Sequence, residues 1–171
     1  MILRQIFHVF QFLLLALLQI LVFNSIHLFG VATPLAYIAL LIYFPLNASR
    51  TGNIVWAFCM GLLMDIFTNQ PGVAAASMTF LGLVQPVLLQ LMAPKEAVED
   101  MIPNFHTMGR WNHVRYILLL CLIYCIVFFA IESFSYYDFH HLLLTMGSST
   151  LFTFIVIILL ETFRGEKAER P

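Results

Sequence analysis

The sequence predicts an all-α, polytopic membrane protein, and three observations lead to that fold class. Of the 171 residues, 61% are hydrophobic and only 10% are charged, with a mean hydropathy of +0.93; a soluble domain is about a quarter charged. Six apolar stretches approach or reach the roughly 20 helical residues that cross a bilayer core. The eight lysines and arginines lie only in alternate connections between these stretches and at the ends of the chain. No basic run indicates a nucleic-acid partner.

The six predicted spans form one integral membrane domain, residues 1–171. In chain order they are Phe7–Phe23, His27–Leu46, Ile54–Thr68, Val73–Met92, Tyr116–Phe134 and Leu142–Phe163. The first span has no small-residue cleavage pattern at its end, so we expect it to be retained rather than removed as a signal peptide. The second is interrupted by Gly30, Pro34 and Pro45, which predicts a kink or a partly re-entrant start.

The basic residues predict the orientation of these spans. One base precedes the first span, one lies between the second and third, three lie between the fourth and fifth, and three follow the sixth. The other three connections contain none. The positive-inside rule then places both termini, the loop of residues 93–115 and the tail of residues 164–171 in the cytoplasm. The chain is predicted to be a multi-pass membrane protein with both termini in the cytoplasm.

One carboxylate, Asp65, stands alone in a long apolar region: no other acid or base lies between Arg50 and Lys95. An acid at the centre of a membrane helix costs roughly 2.5–3.5 kcal/mol, so such a residue usually has a role or a shielded position. The predicted topology puts Asp65 one turn from the outer end of the third span. Gly61 and Thr68 share its helical face.

The segment after Asp65 predicts a tight helical hairpin. The turn Asn69-Gln-Pro71-Gly72 is followed by small residues up to Ser77, which suit close approach of two helices. The carboxylate has three candidate donors, namely Thr68, Ser77 and the free amides at the start of the fourth span. A structural role on this hairpin is the favoured interpretation, and a ligand or proton role is the alternative.

Two further acids are candidate sites. Glu132 lies near the outer end of the fifth span, where it and Asp65 are predicted either to line one groove for a partner's transmembrane helix or to face headgroups separately. Glu161 lies at the inner end of the last span, and Arg164 at i+3 is its expected partner in a weak helix ion pair.

No motif indicates catalysis, a metal or a cofactor. Cys121 and Cys125 share a helix face, but no third ligand is placed near them, so they are predicted to act as small apolar side chains. The chain lacks a nucleophile elbow, a His-Glu-x-x-His motif and a phosphate-binding glycine loop. The sequence therefore predicts a protein that is not an enzyme.

The pattern Gly61-x-x-x-Asp65, then Pro71-Gly72, then alanines and Ser77 resembles the signature of the MreD family of rod shape-determining membrane proteins. The chain length, six spans and short basic tail are also similar to that family. The resemblance implies a six-helix fold similar to the substrate-binding subunits of energy-coupling-factor transporters. It implies a non-enzymatic inner-membrane scaffold that binds an MreC-like protein and links the MreB cytoskeleton to RodA and a class B penicillin-binding protein, so regulating cell shape and peptidoglycan synthesis.

The alternative function is a small-molecule-binding membrane subunit of an energy-coupling-factor-type transporter. Such a subunit needs an outward pocket lined by polar and aromatic groups, for which Tyr136, Tyr137 and Asp138 are the main candidates in the outer connections. It also needs nucleotide-hydrolysing partners, which the scaffold does not.

Overall fold

The computed structural model describes residues 2–21, 35–44, 49–69, 72–93, 103–132 and 139–168. Within these ranges the chain is helical and has no β-strand, as the composition predicts. The helices in chain order are α1 (Ile2–Leu21), α2 (Ala39–Ile42, preceded by the 3₁₀ turn Ala36–Ile38), α3 (Arg50–Thr68), α4 (Val73–Met92), α5 (Phe105–Met108), α6 (Arg110–Glu132) and α7 (Phe139–Ala168).

Four helices of the described chain are long and apolar enough to cross a membrane: α3, α4, α6 and the Leu144–Thr162 part of α7. The protein is therefore a helical membrane protein. These helices correspond to the last four predicted spans, and α4 has the predicted bounds at both ends. Large apolar side chains remain exposed along all four, for example Ile66, Leu83, Leu122 and Leu151, as expected of surfaces that face lipid.

The first two predicted spans are described only in part. Helix α1 has 20 residues, and its described side chains, Val9–Leu21, form an apolar helix. Of the second predicted span only residues 35–44 are described, and they form a 3₁₀ turn and one α-helical turn rather than a long helix. Gly30, Pro34 and Pro45, to which the kink was assigned, lie outside the described residues.

The segment Leu35–Phe44 lies inside the bundle, since every one of its side chains is buried. Its first amides have no partner within their own short helix. Leu35 N–H donates to Thr153 Oγ1 of α7 at 3.0 Å, and Ala36 N–H donates to Gln19 Oε1 of α1 at 2.9 Å. Irregular backbone at membrane depth is tolerated where protein surrounds it and satisfies its polar groups, and both conditions hold here.

Helices α3 and α4 form an antiparallel hairpin with the most extensive packing in the described chain. Glycine allows their backbones to approach at two levels. A Cβ built on Gly61 would lie 2.5 Å from the Ala74 carbonyl oxygen and 2.5 Å from Ala75 Cα. A Cβ on Gly82 would lie 3.1 Å from Ala57 Cβ. Small residues at helix crossings are the usual means of close packing in membranes.

The two ends of the bundle differ in chemistry. We call the end with the α3–α4 connection the turn end and the opposite end, where α3 and α6 begin, the basic end. The exposed bases Arg50, Arg110 and Arg115 lie at the basic end. Three helices are joined near it by buried side chains: Asn53 Nδ2 donates to Gln85 Oε1 at 2.9 Å, and Gln85 Nε2 donates to the Tyr116 hydroxyl at 3.0 Å.

The contact at Gly61 predicts that Gly61→Ala separates the hairpin. The added methyl group meets backbone atoms that cannot rotate away, so we expect a loss of about 1–3 kcal/mol in unfolding free energy. Thermal unfolding of the detergent-solubilised protein measures it. Gly147→Ala is the matched control, because a Cβ at that helical position has no neighbour within 4 Å. Equal melting temperatures for the two variants would contradict the close crossing.

Candidate functional site

The candidate site is the connection between α3 and α4, where the chain reverses at the turn end. Helix α3 stops at Asn69, which adopts the left-handed conformation (φ 55°) and donates its N–H to the Asp65 carbonyl. Asparagine is among the few residues other than glycine that enter this region readily. Gly72 precedes α4 with φ 87°, also in the left-handed region. Gln70 and Pro71, the latter a member of the predicted motif, lie outside the described residues.

The Asp65 side chain caps the next helix. Ala74 N–H donates to Asp65 Oδ1 and Ala75 N–H donates to Oδ2, each at 2.8 Å. These are the second and third residues of α4, whose amides an N-cap side chain normally accepts. Gly72 occupies the N-cap position and has no side chain, so a carboxylate from the preceding helix takes over that function. We call these two hydrogen bonds the Asp65 cap.

Of the three predicted donors, the amides of α4 are therefore the ones that Asp65 uses. The Thr68 hydroxyl donates to the Met64 carbonyl, and the Ser77 hydroxyl donates to the Val73 carbonyl, each within its own helix. Gly61 lies one turn before Asp65 and lets Ala74 and Ala75 come within reach of the carboxylate. The spacing Gly-x-x-x-Asp thus combines close approach and capping on one helical face.

The Asp65 carboxylate is 93% buried within a largely apolar bundle, with 7% of the residue exposed. No lysine or arginine pairs with it in the described part of the chain. The positive end of the α4 dipole and the two amides compensate its charge instead. The hydrogen-bonded hydroxyls of Tyr37 and Tyr124 lie within electrostatic range of the carboxylate. This arrangement fixes the carboxylate in place and leaves neither oxygen without a protein donor.

A groove with a volume of about 840 Å³ runs between α3 and α4 on the exposed face of the hairpin. We call it the α3–α4 groove. Its α3 side consists of large apolar residues such as Phe58, Leu62 and Ile66. Its α4 side includes small residues, among them Ala76 and Thr79 at membrane depth. Asp65, Asn69, Gly72, Ala75, Phe80 and Leu83 complete the lining. The groove is therefore apolar along its length and polar at the turn end.

Glu132 is not part of this groove. It is the last residue of α6, at the turn end, and is half-buried. Helix α6 begins at the basic end and ends at Glu132, so Glu132 and Asp65 lie at the same end of the bundle, as predicted from their depth. Among the described residues, the groove is lined by α3, α4 and the two ends of their connection. The structure therefore does not bring Glu132 and Asp65 together as walls of one groove.

Glu161 has a partner that the sequence interpretation missed. Its Oε1 lies 3.2 Å from His113 Nε2, and both side chains are buried. The expected partner, Arg164, has a side chain outside the described part of the structure. His113 lies in the first turn of α6, and Glu161 lies near the end of the apolar part of α7. The contact therefore joins two helices whose contacting residues are 48 positions apart in sequence. Local spacing cannot reveal such a pair.

The described residues contain no group of three or more histidine, cysteine, aspartate or glutamate side chains that could hold a metal ion. Cys121 and Cys125 are free and buried on α6, and Cys59 is free and exposed on α3. In comparisons with known proteins, no protein-family model matches the chain, and neither a curated protein nor a solved structure matches it significantly.

The Asp65 cap predicts the effect of Asp65→Asn. An asparagine oxygen can accept from one of the two amides, while its NH₂ group faces the other as a second donor. Because a hydrogen bond to a charged group contributes about 1.5–3 kcal/mol, we expect a loss of that order in unfolding free energy. Denaturant unfolding of the purified protein in detergent measures it.

Thr68→Val is the matched control for this prediction. It lies one turn further along α3, is close in size, and removes only a hydroxyl that bonds to a carbonyl of its own helix. We expect it to change stability by about 0.5 kcal/mol or less. If Asp65→Asn were as stable as Thr68→Val, the carboxylate would not be holding α4.

Proposed function

We propose that this chain is a non-enzymatic scaffold of the bacterial elongation machinery, similar to MreD proteins, in the inner membrane. In this proposal it binds an MreC-like protein and links the MreB cytoskeleton to RodA and a class B penicillin-binding protein. The motif that carries the resemblance, Gly61-x-x-x-Asp65 followed by Gly72, supports it, because these residues together build the hairpin.

The main observation in support of the proposal is that both oxygens of the Asp65 carboxylate already accept hydrogen bonds from the protein. An ion pathway or a ligand site needs an acid that can exchange partners. Here each oxygen accepts from a backbone amide of α4, and replacing either bond would uncap a helix inside the bundle. The carboxylate therefore acts as a structural element, and its function is to hold a rigid surface rather than to bind a solute.

The α3–α4 groove is the surface that we assign to a partner. Its occupant in this proposal is a single transmembrane helix that carries a hydrogen-bond donor or a positive charge near the level of Asp65. The groove offers ridges of large side chains on α3 and small residues on α4, which is how helices interlock in membranes. The carboxylate keeps both amide bonds but gives the turn end of the groove a negative charge that no lysine or arginine of the described chain pairs with, so a partner's donor at this level complements that charge without replacing either amide.

The position of the bases supports the proposed orientation. Arg50, Arg110 and Arg115 are exposed at the basic end, next to the exposed Trp111, and the positive-inside rule places that end in the cytoplasm. With six crossings both termini then lie on the same side. In this proposal α1 and the region around Leu35–Phe44 supply the first two crossings, in a fold similar to energy-coupling-factor substrate-binding subunits.

Affinity purification of the tagged chain from native bacterial membranes in mild detergent tests the scaffold proposal. We expect an MreC-like protein and RodA to be recovered with it, because these are the partners of the proposed complex. Recovery of a pair of nucleotide-hydrolysing subunits instead would establish the transporter alternative and overturn the proposal.

The groove assignment predicts that Ala76→Trp blocks partner binding. The indole fills the groove from its exposed α4 side, so partner recovery should fall by about tenfold or more, equivalent to 1.4 kcal/mol. The melting temperature should remain near that of the unmodified protein. Ala130→Trp, the same change at an exposed alanine of α6 outside the groove, is the control and should retain the partner. Equal recovery with both variants would show that the partner docks elsewhere.

A further inference from the structure

The contact between His113 and Glu161 is the most unusual polar feature outside the hairpin. His113 is fully buried and Glu161 is 2% exposed, although both side chains are ionisable. Nε2 and Oε1 are 3.2 Å apart but do not meet the geometry of a hydrogen bond. Both imidazole nitrogens and Glu161 Oε2 have no hydrogen-bond partner in the described structure. Burial of ionisable groups without hydrogen-bond partners costs free energy, so the surrounding packing must hold this pair in place.

The short helix α5 packs over the His113 side of this pair. The Phe105 ring packs edge-on against the His113 imidazole, with ring centroids 4.9 Å apart and an interplanar angle of 73°. Met108 is 2% exposed and belongs to the core, and Pro103 is also buried. The cover therefore consists of apolar side chains placed at the basic end, where the bundle meets water.

The cover is connected to α6 through Gly109, a glycine in the left-handed conformation. Gly109 adopts φ 77°, which reverses the chain so that α5 folds back over the first turn of α6. Within α5, Thr107 N–H donates to Asn104 Oδ1 at 2.8 Å, and Asn104 N–H donates to Thr107 Oγ1 at 3.0 Å. These bonds hold Asn104 and Thr107 together as one turn.

We propose that α5 is a removable cover whose position determines how tightly α6 and α7 are coupled at the basic end. With α5 in place, water is kept from the His113 side of the contact, where electrostatic interactions are screened least. With α5 displaced by a partner that binds this segment from the aqueous side, water reaches the pair and screens it. The inference rests on the described geometry and does not depend on the proposed function.

Accessibility of His113 to diethyl pyrocarbonate, which acylates exposed imidazoles, tests the cover in the full-length protein in detergent. Peptide mass mapping separates His113 from the other histidines of the chain. We expect His113 to be protected in the unmodified protein and to react about tenfold faster or more in Phe105→Ala, because local opening exposes it. Trp111→Ala is the control: it removes an aromatic residue at the same end that is 77% exposed, and should leave His113 protected.

Gly109→Ala provides a second route to the open state. Its Cβ would meet nothing within 4 Å, so the strain comes only from the backbone conformation and leaves the pair itself untouched. It should also increase the reaction of His113. Rapid reaction in the unmodified protein, or continued protection in both Phe105→Ala and Gly109→Ala, would overturn the proposal.

A thermal measurement tests the coupling separately. Glu161→Gln should lower the melting temperature in the unmodified background, where the pair is dry. In the Phe105→Ala or Gly109→Ala background the same substitution should cost about half as much or less, because the pair is already hydrated. If the decrease in melting temperature caused by Glu161→Gln were the same in every background, α5 and the His113–Glu161 pair would be independent, and the proposal would be overturned.

Discussion

A helix that begins inside an apolar bundle has amides without partners, and this constraint determines the architecture. Water cannot satisfy them at membrane depth, so another part of the protein must. At the start of α4 the acceptor is the Asp65 carboxylate, and at Leu35 and Ala36 the acceptors are Thr153 and Gln19. In both places the acceptor comes from a different helix. Each cap therefore satisfies backbone groups and also fixes the position of one helix relative to another.

The cap on α4 depends on how closely the hairpin packs. The two hydrogen bonds of 2.8 Å require the first turn of α4 to lie against α3, and only the missing side chain of Gly61 leaves room for that turn. Conversely, a close crossing without an acceptor would bury the amides of Ala74 and Ala75 unsatisfied. The close approach at Gly61 and the hydrogen bonds of Asp65 therefore depend on each other, and together they fix the positions of the two helices that line the α3–α4 groove.

Sequence reasoning succeeded where the determining interactions are local. The bounds of α4, the hairpin and the amides as one of three donors for Asp65 all follow from apolar periodicity and turn chemistry within about 20 residues. It failed where partners are distant. Leu35 and Thr153 are 118 positions apart, and Glu161 was assigned to a neighbour on its own helix rather than to His113. Of the second predicted span only residues 35–44 are described, and their burial on all sides is a feature that hydropathy alone does not predict.

The two ends of the bundle use different chemistry, and the difference has functional consequences. At the turn end an acid is held by backbone amides, which cannot rotate away, so that end presents a surface of fixed shape. At the basic end His113 and Glu161 are held by side-chain contacts with atoms left unsatisfied, under a cover that ends at Gly109. A surface of fixed shape suits recognition of a partner's helix, because little conformational freedom is lost on binding. A covered pair with unsatisfied atoms suits a change of state, because small displacements alter its hydration. The two proposals, partner binding in the membrane and a removable cover at the basic end, thus concern opposite ends of the same helices.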